Sequence, residues 1–380
     1  MDILWWTLCS VQGLAGARVV SRLARTARGR TIGEARGGPG DGRISVLVPV
    51  LDEEARLGPC LDALAAQDGR CVREILVVDG GSRDRTADVV ARAAARDARV
   101  RFVAAGPPPA GWNGKAWNLQ TGLLGASADC DWILTVDADV RAAPGLAAAL
   151  VAFAGESGVR AFGVATRQRL ADALDAIFHP AMLTTLVYRY GIPGTATDRV
   201  ARVAANGQCF FARRDLLLET NAVEAARDSR CEDVTIARAL AAAGTAVGFY
   251  ETRGLVRVEM YERWQETVAN WPRSLPMVDR FCVLPAWLGM ADVALAQALP
   301  LWVALIIVAT GAGGAALVAL QLQGVLIALR LGVLAGTRRA YERPPATYWL
   351  SPLADAAVAG LLIASAVRRN QRWRGRTLVR

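Results

Sequence analysis

From residue 44 onward the chain alternates short apolar segments with segments of helical spacing, and the apolar segments stop at carboxylates. Ile44–Val50 reads as a strand that ends at Asp52-Glu53-Glu54. Residues 74–78 form a second, closed by Asp79-Gly80-Gly81-Ser82, and residues 100–103 a third, ahead of a break at Pro107-Pro108-Pro109. Between and after them, residues 56–67, 86–95 and 116–126 carry the apolar spacing of helices. A continuous apolar run bounded by turn residues marks a strand buried on both faces, as parallel sheets require. Short strands joined by helices fold most economically into a parallel, doubly wound sheet. Ligands of such sheets bind beyond the carboxyl ends of the strands, so the acidic strand ends would meet along one binding edge.

The next strand, Ile133-Leu134-Thr135-Val136, runs straight into Asp137-Ala138-Asp139. Two hard oxygen ligands at a strand end suit Mg²⁺ or Mn²⁺ carrying a diphosphate. An ordinary strand exit with solvated aspartates has the same short pattern, so the surroundings must decide between them. One neighbour is distinctive: the chain's only lysine, Lys115, lies in Gly111-Trp112-Asn113-Gly114-Lys115-Ala116-Trp117-Asn118, while all other basic side chains are arginine or the single histidine.

Composition narrows the functional classes. With one histidine, His179, histidine-based metal sites and a Ser-His-Asp triad have little to work with. Seven cysteines without a C-x-x-C pair fit reduced thiols better than a disulfide framework. The net charge of +9 accompanies 53% hydrophobic content, and arginines cluster beside apolar segments. That distribution points to anionic lipid headgroups as the partner, not to nucleic acid.

Five motifs in order, Val48-Pro49-Val50-Leu51-Asp52-Glu53, the run from Val77-Val78-Asp79 to Thr86, Gly114-Lys115-Ala116, Asp137-Ala138-Asp139 and Cys231-Glu232-Asp233-Val234, resemble the inverting family 2 glycosyltransferases. The resemblance covers residues 44–276 and implies a GT-A nucleotide-diphospho-sugar transferase fold, an α/β fold whose mostly parallel central sheet is flanked by helices. By that resemblance Pro49, Asp52 and Glu53 would line the nucleotide pocket, Asp79 would accept a hydrogen bond from uracil, and Lys115 would help hold the nucleotide. Asp137 would lie near the ribose and Asp139 would bind a divalent metal, Mg²⁺ or Mn²⁺, with Asp137 as the second carboxylate of the pair. Gly207 and Gln208, in Ala205-Asn206-Gly207-Gln208-Cys209, would lie by the donor sugar or the acceptor. Glu232-Asp233 opens a helix over residues 234–243, where acidic residues are also an ordinary helix cap. The resemblance instead makes Asp233 the general base and Glu232 its support or an acceptor contact. One base without a nucleophile implies a single displacement with inversion.

Beyond this point the pattern departs from the processive and lipid-linked relatives, which carry Q-x-x-R-W. Here Trp271 follows Asn270, and no glutamine stands at the proper offset. Met260-Tyr261 and Trp271-x-Arg273-Ser274 look more like the subgroup that glycosylates carotenoids and is associated with hopanoid synthesis. Trp271 would stack on a sugar and Arg273 would reach the diphosphate, while an amphipathic helix lying on a bilayer would carry the same residues. Residues 161–165 read as a further strand, and 174–190 as either a core helix or an acceptor-side helix.

Residues 3–20 are apolar and are followed by Arg18, Arg22, Arg25, Arg28 and Arg30, the order of an uncleaved anchor with a cytoplasmic basic flank. Residues 37–43 read as a linker. Residues 285–310 and 315–334 are each long enough to cross a bilayer, with Asp292 expected to face protein or the interface. Residues 348–367, interrupted by Pro352 and Asp355, are expected to be re-entrant or interfacial, leaving the arginine-rich tail in the cytoplasm. The expected organisation is therefore an anchor and basic flank at 1–30, a linker at 31–43, and a catalytic domain at 44–258. An interface segment at 259–284, two transmembrane helices at 285–336 and a cytoplasmic, re-entrant and basic remainder at 337–380 complete it. The function expected is transfer of one sugar from a nucleotide-sugar donor, UDP-glucose or similar, to a lipid or isoprenoid acceptor at the cell membrane, with the catalytic domain cytoplasmic. Polyprenyl-phosphate glycosylation, polysaccharide synthesis, or a non-catalytic scaffold keeping a degenerate nucleotide-binding domain are the alternatives.

Overall fold

A computed structural model describes residues 2–35, 42–311, 313–368, 370–373 and 376–379. Of the expected linker, residues 36–41 lie outside the described residues, as do Arg369, Arg374, Gly375 and Arg380 of the basic tail. In chain order the elements are α1 (Asp2–Thr26), β1 (Ile44–Val50), α2 (Leu57–Ala65), β2 (Val72–Asp79), α3 (Thr86–Ala94), β3 (Val100–Ala104), α4 (Gly114–Gly125), β4 (Trp132–Val136), β5 (Val140–Ala142) and α5 (Leu146–Ser157). They continue with β6 (Ala161–Ala165), β7 (Arg167–Gln168), α6 (Asp175–Tyr190), β8 (Thr195–Thr197), β9 (Cys209–Arg213), α7 (Arg214–Glu219), α8 (Glu232–Ala242), β10 (Val247–Glu251) and β11 (Val256–Val258). Last come α9 (Trp264–Asn270), α10 (Leu284–Val293), α11 (Pro300–Thr310), α12 (Ala315–Thr337), α13 (Asp355–Val367) and the hairpin β12 (Asn370–Trp373) and β13 (Arg376–Val379). Two compact units divide them: Gly29–Gln168 with Pro193–Glu259, and Met1–Arg28 with Arg169–Ile192 and Met260–Val379.

The first unit is the expected α/β fold. Its eight-stranded sheet has the order β3-β2-β1-β4-β9-β6-β10-β8. The first four of these strands are mutually parallel, in agreement with the unbroken apolar runs, and β1 is buried along nearly its whole length. Strand β9 enters antiparallel between β4 and β6, a reversal that the apolar runs do not encode. Its register matters for function. Val136 pairs with Cys209, so the residues that lead into β9 lie at the carboxyl end of β4. Trp132 stacks on Phe211 across this antiparallel seam, with centroids 4.5 Å apart. A second, three-stranded sheet, β5-β11-β7, was not anticipated from the sequence because its strands have only two or three residues.

The second unit is helical. Among the described residues, three helices are long and apolar enough to cross a membrane: Asp2–Thr26, Ala315–Ala340 and Ala346–Val367. A fourth candidate is the pair Leu284–Ala298 and Pro300–Thr310, which covers the expected span at residues 285–310 and bends by 40°. The bend follows a π-helical stretch, Ala294–Ala298, and falls at Pro300, which has no N–H to continue the helical ladder. Residues 348–367, expected to re-enter or lie flat, form a 3₁₀ stretch over Ala346–Ala354 that runs directly into α13. Pro352 sits in the 3₁₀ portion. Asp355 is satisfied within the protein: Arg330 Nε donates to its Oδ2 at 2.8 Å and Arg330 Nη2 to its Oδ1 at 3.0 Å. Gln297, in the π-helical stretch, adds a bond to Oδ1 at 2.8 Å. Asp292 faces protein as expected, with Arg18 Nε donating to Oδ1 at 2.9 Å and Arg22 Nη1 2.7 Å from Oδ2. Gln12 and Gln323 exchange side-chain hydrogen bonds between α1 and α12.

Arg330 and Asp355 are each 3% exposed, so removing either partner strands a charge away from water. Asp355→Ala is expected to destabilise the helical unit by about 3–5 kcal/mol, read as a lower thermal midpoint of the detergent-solubilised protein. The double variant with Arg330→Ala should lose clearly less than the sum of the two single variants.

Candidate functional site

Strand order places β2, β1 and β4 side by side, and their register aligns the ends: Val50 pairs with Asp79, and Leu47 with Thr135. The loops after β1 and β2 are then laced together. Asp52 holds a positive φ of 53°, which an aspartate tolerates better than most residues. Its N–H donates to Ser82 Oγ at 2.9 Å, and its Oδ1 accepts from the Arg83 N–H at 2.7 Å. The Glu53 N–H donates to Thr86 Oγ1 at 2.9 Å, and the Glu54 N–H to Asp84 Oδ2 at 2.9 Å. The buried carboxylate of Asp79 accepts the N–H groups of Gly81 and Ser82 and the Ser82 hydroxyl, so it shapes the turn that follows its strand. Behind the loops, the buried Asn118 amide donates to the carbonyls of Val50 and Val78, each at 3.1 Å. Asn118 stands three residues after Lys115 on α4, a helical spacing that could have singled it out.

Lys115 joins two elements that are distant in sequence. Its Nζ lies 2.8 Å from Asp137 Oδ1 at the end of β4 and 2.9 Å from Glu232 Oε1 at the start of α8. An ammonium in the first turn of a helix opposes the helix dipole, so these carboxylates are what hold it there. Burial alone would push its amine down; Asp137, Glu232 and Asp233 together raise it well above the usual lysine range. Glu232 and Asp233 occupy the first turn of α8, where the dipole favours anions. Asp233 is pushed up to about 6 by burial and by Glu232, against the opposing pull of Lys115 and a hydrogen bond from Cys231.

Gly207 completes this corner by leaving space. A Cβ on it would lie 3.1 Å from Lys115 Nζ and 3.2 Å from Asp233 Oδ2. The antiparallel entry of β9 brings it here, with the Asp137 N–H meeting the Gln208 carbonyl at 3.4 Å. The Gln208 side chain turns into a buried network, its Oε1 accepting from Thr166 Oγ1 at 2.6 Å and Asn206 Nδ2 at 3.1 Å. Pro49 lies within β1 and, with Lys115, Gly207, Glu232 and Asp233, is among the residues that line a largely apolar cavity. Trp271 and Arg273 belong to the helical unit. There the Trp271 ring packs 4.2 Å from that of His179, and Arg273 Nε donates to the Asn270 carbonyl at 3.0 Å.

Asp139 is half-buried, and its Oδ1, which is shut away from solvent, has no hydrogen-bond partner. Burial first and Asp137 second push its carboxyl up to about 7. A desolvated carboxylate oxygen of this kind is chemically suited to a cation. Among the described residues no group of three or more histidine, cysteine, aspartate or glutamate side chains converges as a metal cage. Asp139, with Asp137 two residues before it, could hold Mg²⁺ or Mn²⁺ at this strand end.

Residues 45–219 match the model of Glycosyl transferase family 2. The match takes in Asp79, Lys115, Asp137, Asp139, Gly207 and Gln208 and ends ahead of Glu232 and Asp233. Among solved structures, a mannosyltransferase from Pyrobaculum calidifontis, determined with GDP-mannose and Mn²⁺, superposes with a TM-score of 0.55 at 18% identity, covering 96% of this chain and 97% of that one. Glucosyl-3-phosphoglycerate synthase from Mycobacterium tuberculosis, determined with Mn²⁺, UDP and glucosyl-3-phosphoglycerate, gives 0.39 at 17% identity over 68% of this chain and 81% of its own. TarS from S. aureus, determined with UDP, gives 0.41 at 14% identity over 89% and 96%. A search of curated proteins found no match. Residues 45–219 are thus a glycosyltransferase family 2 domain, the fold is GT-A, and the protein is a glycosyltransferase.

A methyl group at residue 207 would press on both Lys115 and Asp233. Gly207→Ala is expected to lower turnover at least about tenfold through misplaced catalytic geometry. Its thermal midpoint should stay near that of the parent, since the contacts are with side chains at a site edge.

Proposed function

We propose that the protein is a membrane-bound inverting glycosyltransferase. It moves one sugar from a nucleotide donor, UDP-glucose or a near relative, to the hydroxyl or carboxylate of a hydrophobic isoprenoid or similar lipid such as a carotenoid. The observation that carries this reading is the corner formed by Lys115, Asp137, Glu232 and Asp233. It sets a single desolvated carboxylate, Asp233, next to a cation that is itself tied to the diphosphate edge of the sheet.

In this reading the roles divide by position. Asp233, pushed up to about 6, is ionised at neutral pH yet basic enough to take a proton from an acceptor hydroxyl. Glu232 holds Lys115, and Lys115 places positive charge where the leaving nucleoside diphosphate gathers negative charge. Asp137 and Asp139 are the metal donors, and Pro49, Asp52, Glu53 and Asp79 shape the nucleotide edge. When bound, a divalent cation would stabilise the charge developing on the leaving diphosphate. No covalent nucleophile is assigned, so displacement is direct and the anomeric configuration inverts. Trp271 and Arg273 are assigned to sugar and diphosphate contacts on resemblance alone.

A membrane location is supported by the three helices of spanning length and by large apolar side chains that they and α11 leave exposed, among them Trp6, Trp302, Ile306, Val325 and Trp349. A lipid acceptor follows from that location and from the motifs around Trp271. The catalytic unit and basic tail would be cytoplasmic, on the side where arginine-rich flanks collect.

Expression of the chain in a host supplied with candidate isoprenoids, followed by lipid extraction and mass spectrometry, should yield a lipid heavier by one hexose. Glycosylation of water-soluble acceptors alone would defeat the lipid reading. Asp233→Asn should retain nucleotide binding by calorimetry while transfer falls about 10²-fold or more. For the parent, kcat/KM should fall about tenfold per pH unit below roughly pH 6, because protonation removes the base from the raised side of its range. Chelation by EDTA should abolish transfer, and Mn²⁺ or Mg²⁺ should restore it; full activity in EDTA would remove the metal from the scheme.

A further inference from the structure

We propose that Cys231 is a positioning residue for the catalytic carboxylate. Its thiol donates a hydrogen bond to Asp233, fixing which oxygen faces the acceptor and favouring the ionised form. The inference rests on the reading of Asp233 as the base.

The geometry is local and well tied. Cys231 Sγ lies 3.2 Å from Asp233 Oδ1, a distance open to a thiol donor because sulfur is large. Cys231 caps α8 in a non-helical conformation, with φ −138° and ψ 71°, which turns its side chain back over the first turn. Its N–H donates to Ser229 Oγ at 3.1 Å, and that hydroxyl lies 2.7 Å from Thr235 Oγ1 one turn into the helix. The Ser229 carbonyl in turn accepts from the Asn113 side-chain amide, at the residue just before the helix that carries Lys115. The cysteine is thus braced between α4 and α8.

The two oxygens of Asp233 are consequently unequal. Oδ1 is taken by the thiol, whereas Oδ2 lies toward Gly207 on the side of Lys115. The oxygen left for an acceptor proton is therefore Oδ2. A thiolate would spoil this arrangement by setting two anions together. Burial first, then Asp233 and Glu232, raise the thiol well above its usual range, so it remains protonated and acts as a donor, not a nucleophile. The charged groups around the pair are Glu232 and Arg238 on α8 and Lys115 from α4, itself paired with Asp137. The 3₁₀ turns packed on α8 carry Arg202 and Glu224, and β10 carries Tyr250 and Glu251.

The test is an infrared titration of the full-length protein in detergent, with the Asp233 carboxyl band assigned by subtracting the spectrum of Asp233→Asn. A hydrogen bond to the ionised form lowers its proton affinity, so Cys231→Ala should move the midpoint upward by about half a pH unit or more. Cys231→Ser, which restores a donor, should bring it back; Cys231→Val serves in the same way where the alanine variant does not fold. The acid limb of transfer should move with the band, leaving kcat/KM about threefold lower at pH 5 and almost unchanged at pH 9. An unmoved midpoint, or serine behaving like alanine, would overturn the positioning role. If instead the band shifts as expected but Asp233→Asn transfers sugar normally, the hydrogen bond stands and the base assignment fails.

Discussion

The catalytic unit depends on one half-buried cation shared by two carboxylates. Lys115 ties the end of β4 to the start of α8 through Asp137 and Glu232. It does so where Asp139 and Asp233 add further desolvated carboxyl groups. Without the ammonium, these acids would repel one another, and several would be driven to bind protons. With it, the acids are held apart in character. Asp137 and Glu232 are ion-paired, Asp139 keeps an unpartnered oxygen, and Asp233 is left as a carboxylate of raised proton affinity. Different environments thus give similar side chains different chemical roles.

The helical unit uses the same physics for a different purpose. Charged and amide side chains in apolar helices are costly unless paired, and here they are paired inside the protein: Arg330 with Asp355, Arg18 and Arg22 with Asp292, Gln12 with Gln323. These pairs allow segments interrupted by acids to remain continuous helices. They also specify which helix packs on which, because a displaced helix would leave a buried charge unmatched. Exposed leucines, valines and tryptophans then face outward from helices whose polar groups face in.

Much of the catalytic fold was legible in the sequence because its signals are local. The strand Ile44–Val50 and the strand Ala161–Ala165 follow from uninterrupted apolar runs, and α3 and α8 begin within a residue or two of the expected positions. The acidic ends of β1, β2 and β4 point in sequence to one edge, and the parallel register puts them there. Less was legible where an element is short or its partner distant. The three-stranded sheet of β5, β7 and β11 has too few residues to show a period. The antiparallel insertion of β9 leaves no mark in its own apolar composition. The segment ending at Val367 looked broken by Pro352 and Asp355, since the acid's partner Arg330 lies on another helix.

The alternation of strand and helix, the carboxylates at the strand ends, the solitary lysine and the long apolar segments can all be read along the chain. Each of these is a property of neighbouring residues. Which acid meets which base is settled by the packing of the fold. It turned Asp79 onto its own loop and Gln208 into a buried network, paired Lys115 with Asp137 and Glu232, and set the Cys231 thiol against Asp233. Proton affinity and ion pairing are set by burial and by charges a few ångströms away, and such neighbours are brought together by the sheet and not by the chain.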